Sequence, residues 1–313
     1  MTDETLPAYK DLPVTPGAPA DSSWGLWGKD DQLGAFNLQT PERIAAAAQL
    51  VRRGRMFPLS WEMELPNPAF GGRGNLRHTL WSHRDAGTDD CYDNYYPQSS
   101  TQWDALCHAG KPGAGFYNGV QVADVTGLEK KNGIHVVARR GIAGRAVLVD
   151  FGRWAQKTAR EFDYEAQSDI TVDDVEAVLK DQGATIGTGD ILLLRTGWMA
   201  FYEQQSPEWR QRAARRRSVP GLKSGREMVA YLWDLHVSAL CADNYAVESF
   251  SDMSFTLHDN LMGLCGVTLA EYFFLEDLAR DCAEQGTWDS FFVAAPLNKL
   301  GGAGSPGNAI AFR

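Results

Sequence analysis

Residues 98–108 read Gln-Ser-Ser-Thr-Gln-Trp-Asp-Ala-Leu-Cys-His. No other run constrains the fold as much. It sets a carboxylate (Asp104), an imidazole (His108) and two carboxamides (Gln98 and Gln102) among Trp103, Leu106 and Cys107. Polar groups carried into an apolar interior are costly unless they are hydrogen-bonded, paired or bound to a metal. A fold for this chain must therefore supply them with partners, and a functional site does so. Asp104 and His108 are four residues apart, which on a helix places both on one face; a loop could also bring them together. The bland alternative is a loop in which Asp104 caps a helix and His108 packs.

A second segment adds one imidazole and one carboxylate. His258 follows Phe255-Thr256-Leu257, and Glu271 sits in Leu269-Ala270-Glu271-Tyr272-Phe273. An acid buried in that apolar stretch needs a partner, either a metal or an arginine such as Arg195. A lone histidine at 258 is more often a satisfied core residue than a ligand. Hydrolytic metal sites use carboxylate and imidazole donors and keep a position open for water.

The bulk properties set limits around this site. At 313 residues and 44% hydrophobic content, the chain is long enough for one large core. A net charge of −10 argues against nucleic acid or an anionic membrane as the main partner. A small-molecule substrate is compatible with it, because a metal inverts the local field. Cys91, Cys107, Cys241, Cys265 and Cys282 are odd in number, widely spaced and without a C-x-x-C pair, which fits reduced thiols. The first residues lack the order of a signal peptide, and no apolar run approaches the ~18 residues of a membrane span. The expectation is a cytoplasmic protein.

Residues 1–23, with four prolines, are expected to form an extended arm, followed by one domain over 24–313. Thr40-Pro41-Glu42 predicts a helix start, and Gly54 its end. Residues 56–64 predict a strand, and 66–93, rich in Gly, Asn, Asp and Arg, a long loop. Residues 134–139, 146–151, 190–196, 237–241 and 291–297 predict buried strands. Thr171 to Gly183 predicts a helix, and Ser224 with Glu227 has capping-box spacing for another. Strands and helices without a strict βαβ period predict a mixed α/β or α+β fold.

The run 98–108 also resembles the signature of the Putative cyclase family, which includes bacterial kynurenine formamidase and isatin hydrolase. That signature is His-x-Gly-Thr-His-x-Asp-x-x-x-His. Thr101, Asp104 and His108 match it, Ser100 replaces the glycine, and Gln98 and Gln102 replace the first two histidines. The family's downstream His and Glu match His258 and Glu271. Further similar stretches are residues 24–38, 144–150, 189–198, 243–248 and 304–311.

The resemblance implies a mixed α/β domain of the swivelling β/β/α type, in a homo-oligomer (dimer or tetramer). It also implies a metal-dependent hydrolase that opens a cyclic amide, imide or lactone, or cleaves an amide of an aromatic compound. Metal-activated water would be the nucleophile and His108 the general base, a role that suits an imidazole. In the family two metals can share the aspartate, one held by the upstream histidines and the other by the downstream His and Glu. With both upstream histidines replaced by glutamine, a weaker donor, the expectation is one divalent ion (Mn, Zn or Mg). Asp104, His258 and Glu271 would hold it, with Gln102 as a fourth donor. The alternative is a metal-free site in which Gln98 and Gln102 bind substrate amide or carbonyl groups. Gln98, Thr101 and Trp103 are assigned to substrate binding, and Phe70, Trp81, Tyr95 and Tyr96 could wall an apolar pocket. His78 or His83 from the long loop could serve as a substitute ligand. A cyclase, isomerase or lyase using the same residues, or a non-catalytic binding protein, stand as alternative functions.

Other signals are weaker. Gly302-x-Gly304-x-x-Gly307 leaves no room for the helix that a dinucleotide site requires. The basic run from Arg210 to Arg217 reads as a solvated face in an acidic protein.

Overall fold

Residues 191–194, Ile-Leu-Leu-Leu, are buried without interruption, the pattern of a strand inside a parallel sheet. In the computed structural model, which describes residues 6–216 and 219–313, they form the middle of a nine-stranded sheet. The strands among the described residues are β1 (Met56–Pro58), β2 (Arg77–Arg84), β3 (Gly87–Asp93), β4 (Gln102–Asp104), β5 (Ile142–Asp150), β6 (Asp169–Ile170), β7 (Ile191–Arg195), β8 (Gly221–Leu222), β9 (Ala239–Ala242), β10 (Thr268–Glu271), β11 (Asp289–Ala294), β12 (Gly304–Pro306) and β13 (Ala309–Phe312).

The large sheet runs β1-β13-β11-β5-β7-β9-β10-β4-β12. Strands β5, β7, β9 and β10 are parallel to one another. Antiparallel strands flank them, β11, β13 and β1 on one side and β4 and β12 on the other. The predicted mixed α/β class is the one observed.

Alternation along each strand divides the core between two faces. Val149, Leu192, Leu194, Leu240 and Leu269 pack with the helices Val172–Gln182 and Arg226–Asp234. Leu148, Leu193, Cys241 and Ala270 pack on the other face with the helices Ile134–Arg140 and Glu276–Gln285. Full burial of each such aliphatic side chain contributes about 1.5–3 kcal/mol. A third cluster is aromatic: Trp61, Phe70, Trp198, Tyr202, Trp209 and Tyr272. It lies just past the end of β10.

Several local expectations match the structure. Thr40 accepts from the Arg43 backbone at the start of the helix Pro41–Ala48. Thr171 and Asp174 form a reciprocal cap, and Gly183 ends that helix in the left-handed conformation. The first helix stops at Ala48, ahead of Gly54.

Three expectations are corrected. Residues 134–139 form a helix, not a strand. Their β-branched content pointed to a strand, but Ile134 and Val137, one helical turn apart, pack into the core between Gly133 and Gly141; packing outweighs propensity here. The loop at 66–93 contains a hairpin, β2 with β3. It is exposed along both strands, so no apolar alternation marks it in the sequence. Ser224 does not cap the helix Arg226–Asp234, whose N-cap is Gly225.

The arm is held by its own chain over residues 6–23. The Tyr9 backbone donates to Asp234 Oδ1 at 2.6 Å, and Trp233 Nε1 donates to the Pro7 carbonyl at 2.9 Å. Residues 1–5 of the arm lie outside the described residues. In the basic run, Arg210 lies over the Tyr202 ring and Arg216 donates to the Glu165 carbonyl; Arg217 lies outside the described residues. No helix among the described residues is long and apolar enough to cross a membrane.

Candidate metal centre

The centre is built on the face of the sheet where β10 meets β4. Glu271 stands opposite Gln102 in register, and Ala270 opposite Trp103. Because side chains alternate along a strand, Gln102, Asp104 and Glu271 share one face while Trp103 points to the other. After β4 the chain folds back in a turn closed by His108 N donating to the Ala105 carbonyl at 2.7 Å. This returns the His108 ring to Asp104, with Nε2 3.7 Å from Oδ1. A strand end and a turn, not a helix face, bring the pair together. His258 enters from the turn His258–Met262, with its Nε2 3.9 Å from Asp104 Oδ2 and 3.6 Å from Glu271 Oε1.

The ligand atoms of Asp104, His258 and Glu271 lie within 4.8 Å of one another. Donors on a common ion at roughly 2.1 Å stand about 3–4 Å apart, so small side-chain shifts suffice to close on a cation. The hydrogen-bond pattern supports that fit. Both oxygens of Asp104, Oε2 of Glu271 and both polar atoms of Gln102 are buried without a hydrogen-bond partner. Each such orphan costs about 1–3 kcal/mol in an ordinary interior. Their gathering at one point is what a divalent ion with oxygen and nitrogen donors would resolve.

The charged groups of the centre act on one another. Burial pushes the Asp104 carboxyl above the usual range, offset in part by His108. Burial also acts upward on Glu271, but the neighbouring His258 and the charge of Arg73 outweigh it and hold that carboxyl low. Burial would lower the His258 imidazole, yet Glu248 and Glu271 together raise it well above its ordinary value.

The remaining assignments divide. Gln98 lies on the same face, over Gly304, where a Cβ would stand 2.6 Å from its Nε2. Gly304 is opposite Asp104 in register, so its missing side chain makes the room. Trp103 is a correction: it is not in a substrate pocket. It is fully buried against Phe36, Phe273 and Phe292 and donates from Nε1 to the Gly307 carbonyl at 2.8 Å. Thr101 is also turned inward. Its hydroxyl donates to the Tyr272 carbonyl at 2.5 Å and accepts from Trp61 N at 2.8 Å, so it clamps backbone. Phe70 is in the aromatic cluster, Trp81 is exposed on the hairpin, and Tyr95 and Tyr96 line a separate cleft with Ser60 and Met63. His78 and His83 pair with Asp90 and Asp89 on the hairpin and are not among the converging ligands. Arg195 pairs with Asp150 and Glu276, leaving Glu271 to the centre.

A family model described as Putative cyclase matches residues 57–249. The chain belongs to this cyclase family. A solved structure described as a novel cyclase is 34% identical over 93% of this chain and 99% of its own, with a TM-score of 0.83. Isatin hydrolase A from Ralstonia solanacearum is 20% identical over 87% of this chain and 97% of its own, with a TM-score of 0.59. An isatin hydrolase bound to the product analogue thioisatinate is 15% identical over 85% and 95%, with a TM-score of 0.58. Among curated proteins, none matches the chain. The cyclase-family fold is thus shared with isatin hydrolases.

Two residues beside this candidate centre were not assigned to it from the sequence. Glu248 is fully buried behind His258. Its Oε1 accepts from His258 Nδ1 at 2.7 Å and from His258 N at 3.0 Å; its Oε2 accepts from Leu257 N at 2.7 Å and Ser224 Oγ at 2.6 Å. The proton on Nδ1 leaves Nε2 free to face Asp104 and Glu271. The trace of Glu248 in the sequence was the similar stretch 243–248. Arg73, from the loop ahead of the hairpin, acts on both carboxylates by charge.

Proposed function

We propose that the chain is a metal-dependent hydrolase that opens a cyclic amide, imide or lactone, or cleaves an amide of an aromatic compound. The observation that carries this reading is the convergence of Asp104, His258 and Glu271 around orphaned oxygens, with His108 beside them. A divalent ion held by these three residues supplies a Lewis acid for a carbonyl oxygen and for water.

The residues around it have distinct tasks. His108 is the more open of the two histidines, its side chain 25% exposed against 13% for His258. As the more open ring it is the base in this reading: it takes the proton of the attacking water and returns it to the leaving nitrogen or oxygen. Asp104 Oδ1 faces that imidazole at 3.7 Å, without a hydrogen bond to it. His258, locked by Glu248, is a fixed donor and not a base. The Gln102 carboxamide, with neither polar atom paired, is free to bind the substrate amide or to add its oxygen to the ion.

His108→Ala is expected to fold normally and to lose about 10²–10⁴ in kcat on a lactone or imide substrate. Reaction in H₂¹⁸O is expected to place solvent oxygen in the product carboxylate. A fully active His108→Ala variant, or product without label, contradicts the reading.

A further inference from the structure

Arg73 carries a buried guanidinium nitrogen, Nη1, that makes no hydrogen bond. Such a group is costly to leave without a partner. Its surroundings are specific. A Cβ at Gly71 would stand 3.3 Å from Arg73 Nη1 and 3.0 Å from Tyr245 Oη, so both polar ends meet over one bare stretch of backbone. Gly71 has φ +69°, a conformation that suits glycine. The Tyr245 ring stacks on Tyr272 with centroids 6.0 Å apart, and Tyr272 Oη is buried without a partner. Tyr272 directly follows Glu271.

The backbone here is also unusual. Tyr272, Ala246 and Val247 all have positive φ, at 56°, 69° and 62°. Non-glycine residues held this way store strain and cluster at functional sites. Among the described residues, Arg73 forms no ion pair with Asp104 or Glu271, although its charge acts on both. The guanidinium neighbours Tyr245, whose ring stacks on Tyr272, the residue after Glu271, and it is not spent on the carboxylates of the centre.

We propose that Arg73 and the Tyr272 hydroxyl form an anion-recognition point beside the centre, which takes the carboxylate that hydrolysis leaves on the product. This rests on the hydrolase reading and deepens it. Addition of water to an amide or lactone carbonyl forms one C–O bond, breaks the C–N or ester C–O bond, moves one proton to the leaving atom and yields an acid that ionises at neutral pH. Substrate is neutral at that carbonyl and product is an anion. A guanidinium with an uncommitted nitrogen is the side chain suited to receive it, and the aromatic rings of Tyr245 and Tyr272 favour a ring-bearing acid.

The test compares benzoate with its neutral analogue benzamide, by calorimetric titration of the full chain, with and without Mn²⁺. Wild type is expected to bind benzoate at least about tenfold more tightly than benzamide. Arg73→Gln is expected to abolish that preference with an unchanged circular dichroism spectrum, and Arg73→Lys to retain part of it. The preference is expected to persist in Asp104→Asn, which separates the arginine from the ion. No preference in wild type, or one that survives Arg73→Gln, overturns the inference. If Arg73→Gln does not fold, an unweakened preference in Arg73→Lys overturns it instead. An Arg73-dependent preference without turnover of any lactone or imide would contradict the hydrolase reading alone; turnover with a preference indifferent to Arg73 would contradict this inference alone.

Discussion

Nδ1 of His258 lies 2.7 Å from Oε1 of Glu248, and the same oxygen accepts the His258 backbone N–H at 3.0 Å. One buried carboxylate thus fixes both the ring and the main chain of a residue proposed as a ligand. Glu248→Gln keeps the size but turns an NH₂ toward a donor, either Leu257 N or His258. Divalent-ion affinity is expected to fall about 10–100-fold, read by competition with a chelating dye. Unchanged affinity would show that His258 does not depend on Glu248.

Gln98 and Gln102 stand where the resembling signature has histidines, and both lie on the Asp104 face. The double substitution Gln98→His, Gln102→His is expected to raise ion affinity and to add up to about one further equivalent per chain, because imidazole is the stronger donor for zinc-like ions. Elemental analysis after dialysis reads the stoichiometry. An unchanged metal content contradicts the placement of these two side chains.

Trp103 is a core residue, so its removal should act on stability and not on the centre. Trp103→Ala is expected to cost about 3–5 kcal/mol of unfolding free energy, measured by denaturant titration, with ion stoichiometry kept in the folded fraction. A stable variant with altered substrate preference would contradict the packing described.

Asp243 gives a pH signature away from the centre. It accepts from Thr196 N, Thr196 Oγ1 and Gly197 N, yet burial pushes its carboxyl up to about 6. The unfolded chain ionises this group near 3.9. Below that pH both states are neutral and its contribution is fully present; as pH rises toward 6 the unfolded state ionises first and stability is lost, by up to roughly 3 kcal/mol. Wild type minus Asp243→Asn stability is expected to fall between pH 4 and 6 and then level off. A flat difference across that window contradicts the shift.

The sequence made the fold class, the Ile191–Leu194 strand and the converging residues Asp104, His108, His258 and Glu271 readable, because each has a local pattern or a place in a family motif. Other features depend on what packs against what. The helix at Ile134–Arg140 forms against its β-branched content because the core holds two of its residues one turn apart. Trp103 looked like a pocket wall from its neighbours in sequence, but alternation in a three-residue strand sends it through the sheet. Glu248 lies ten residues before His258, and Arg73 on a distant loop; only the three-dimensional fold brings them to the site.

The central claim is that Asp104, His258 and Glu271 hold a divalent ion. The most direct test is elemental analysis of untagged protein purified without chelator, beside Asp104→Asn. The account predicts about one equivalent of Mn, Zn or Mg in wild type, retained through dialysis and lost in a folded Asp104→Asn variant. Protein that takes up no ion after incubation with each of these metals, or an Asp104→Asn variant that keeps its ion, would contradict it.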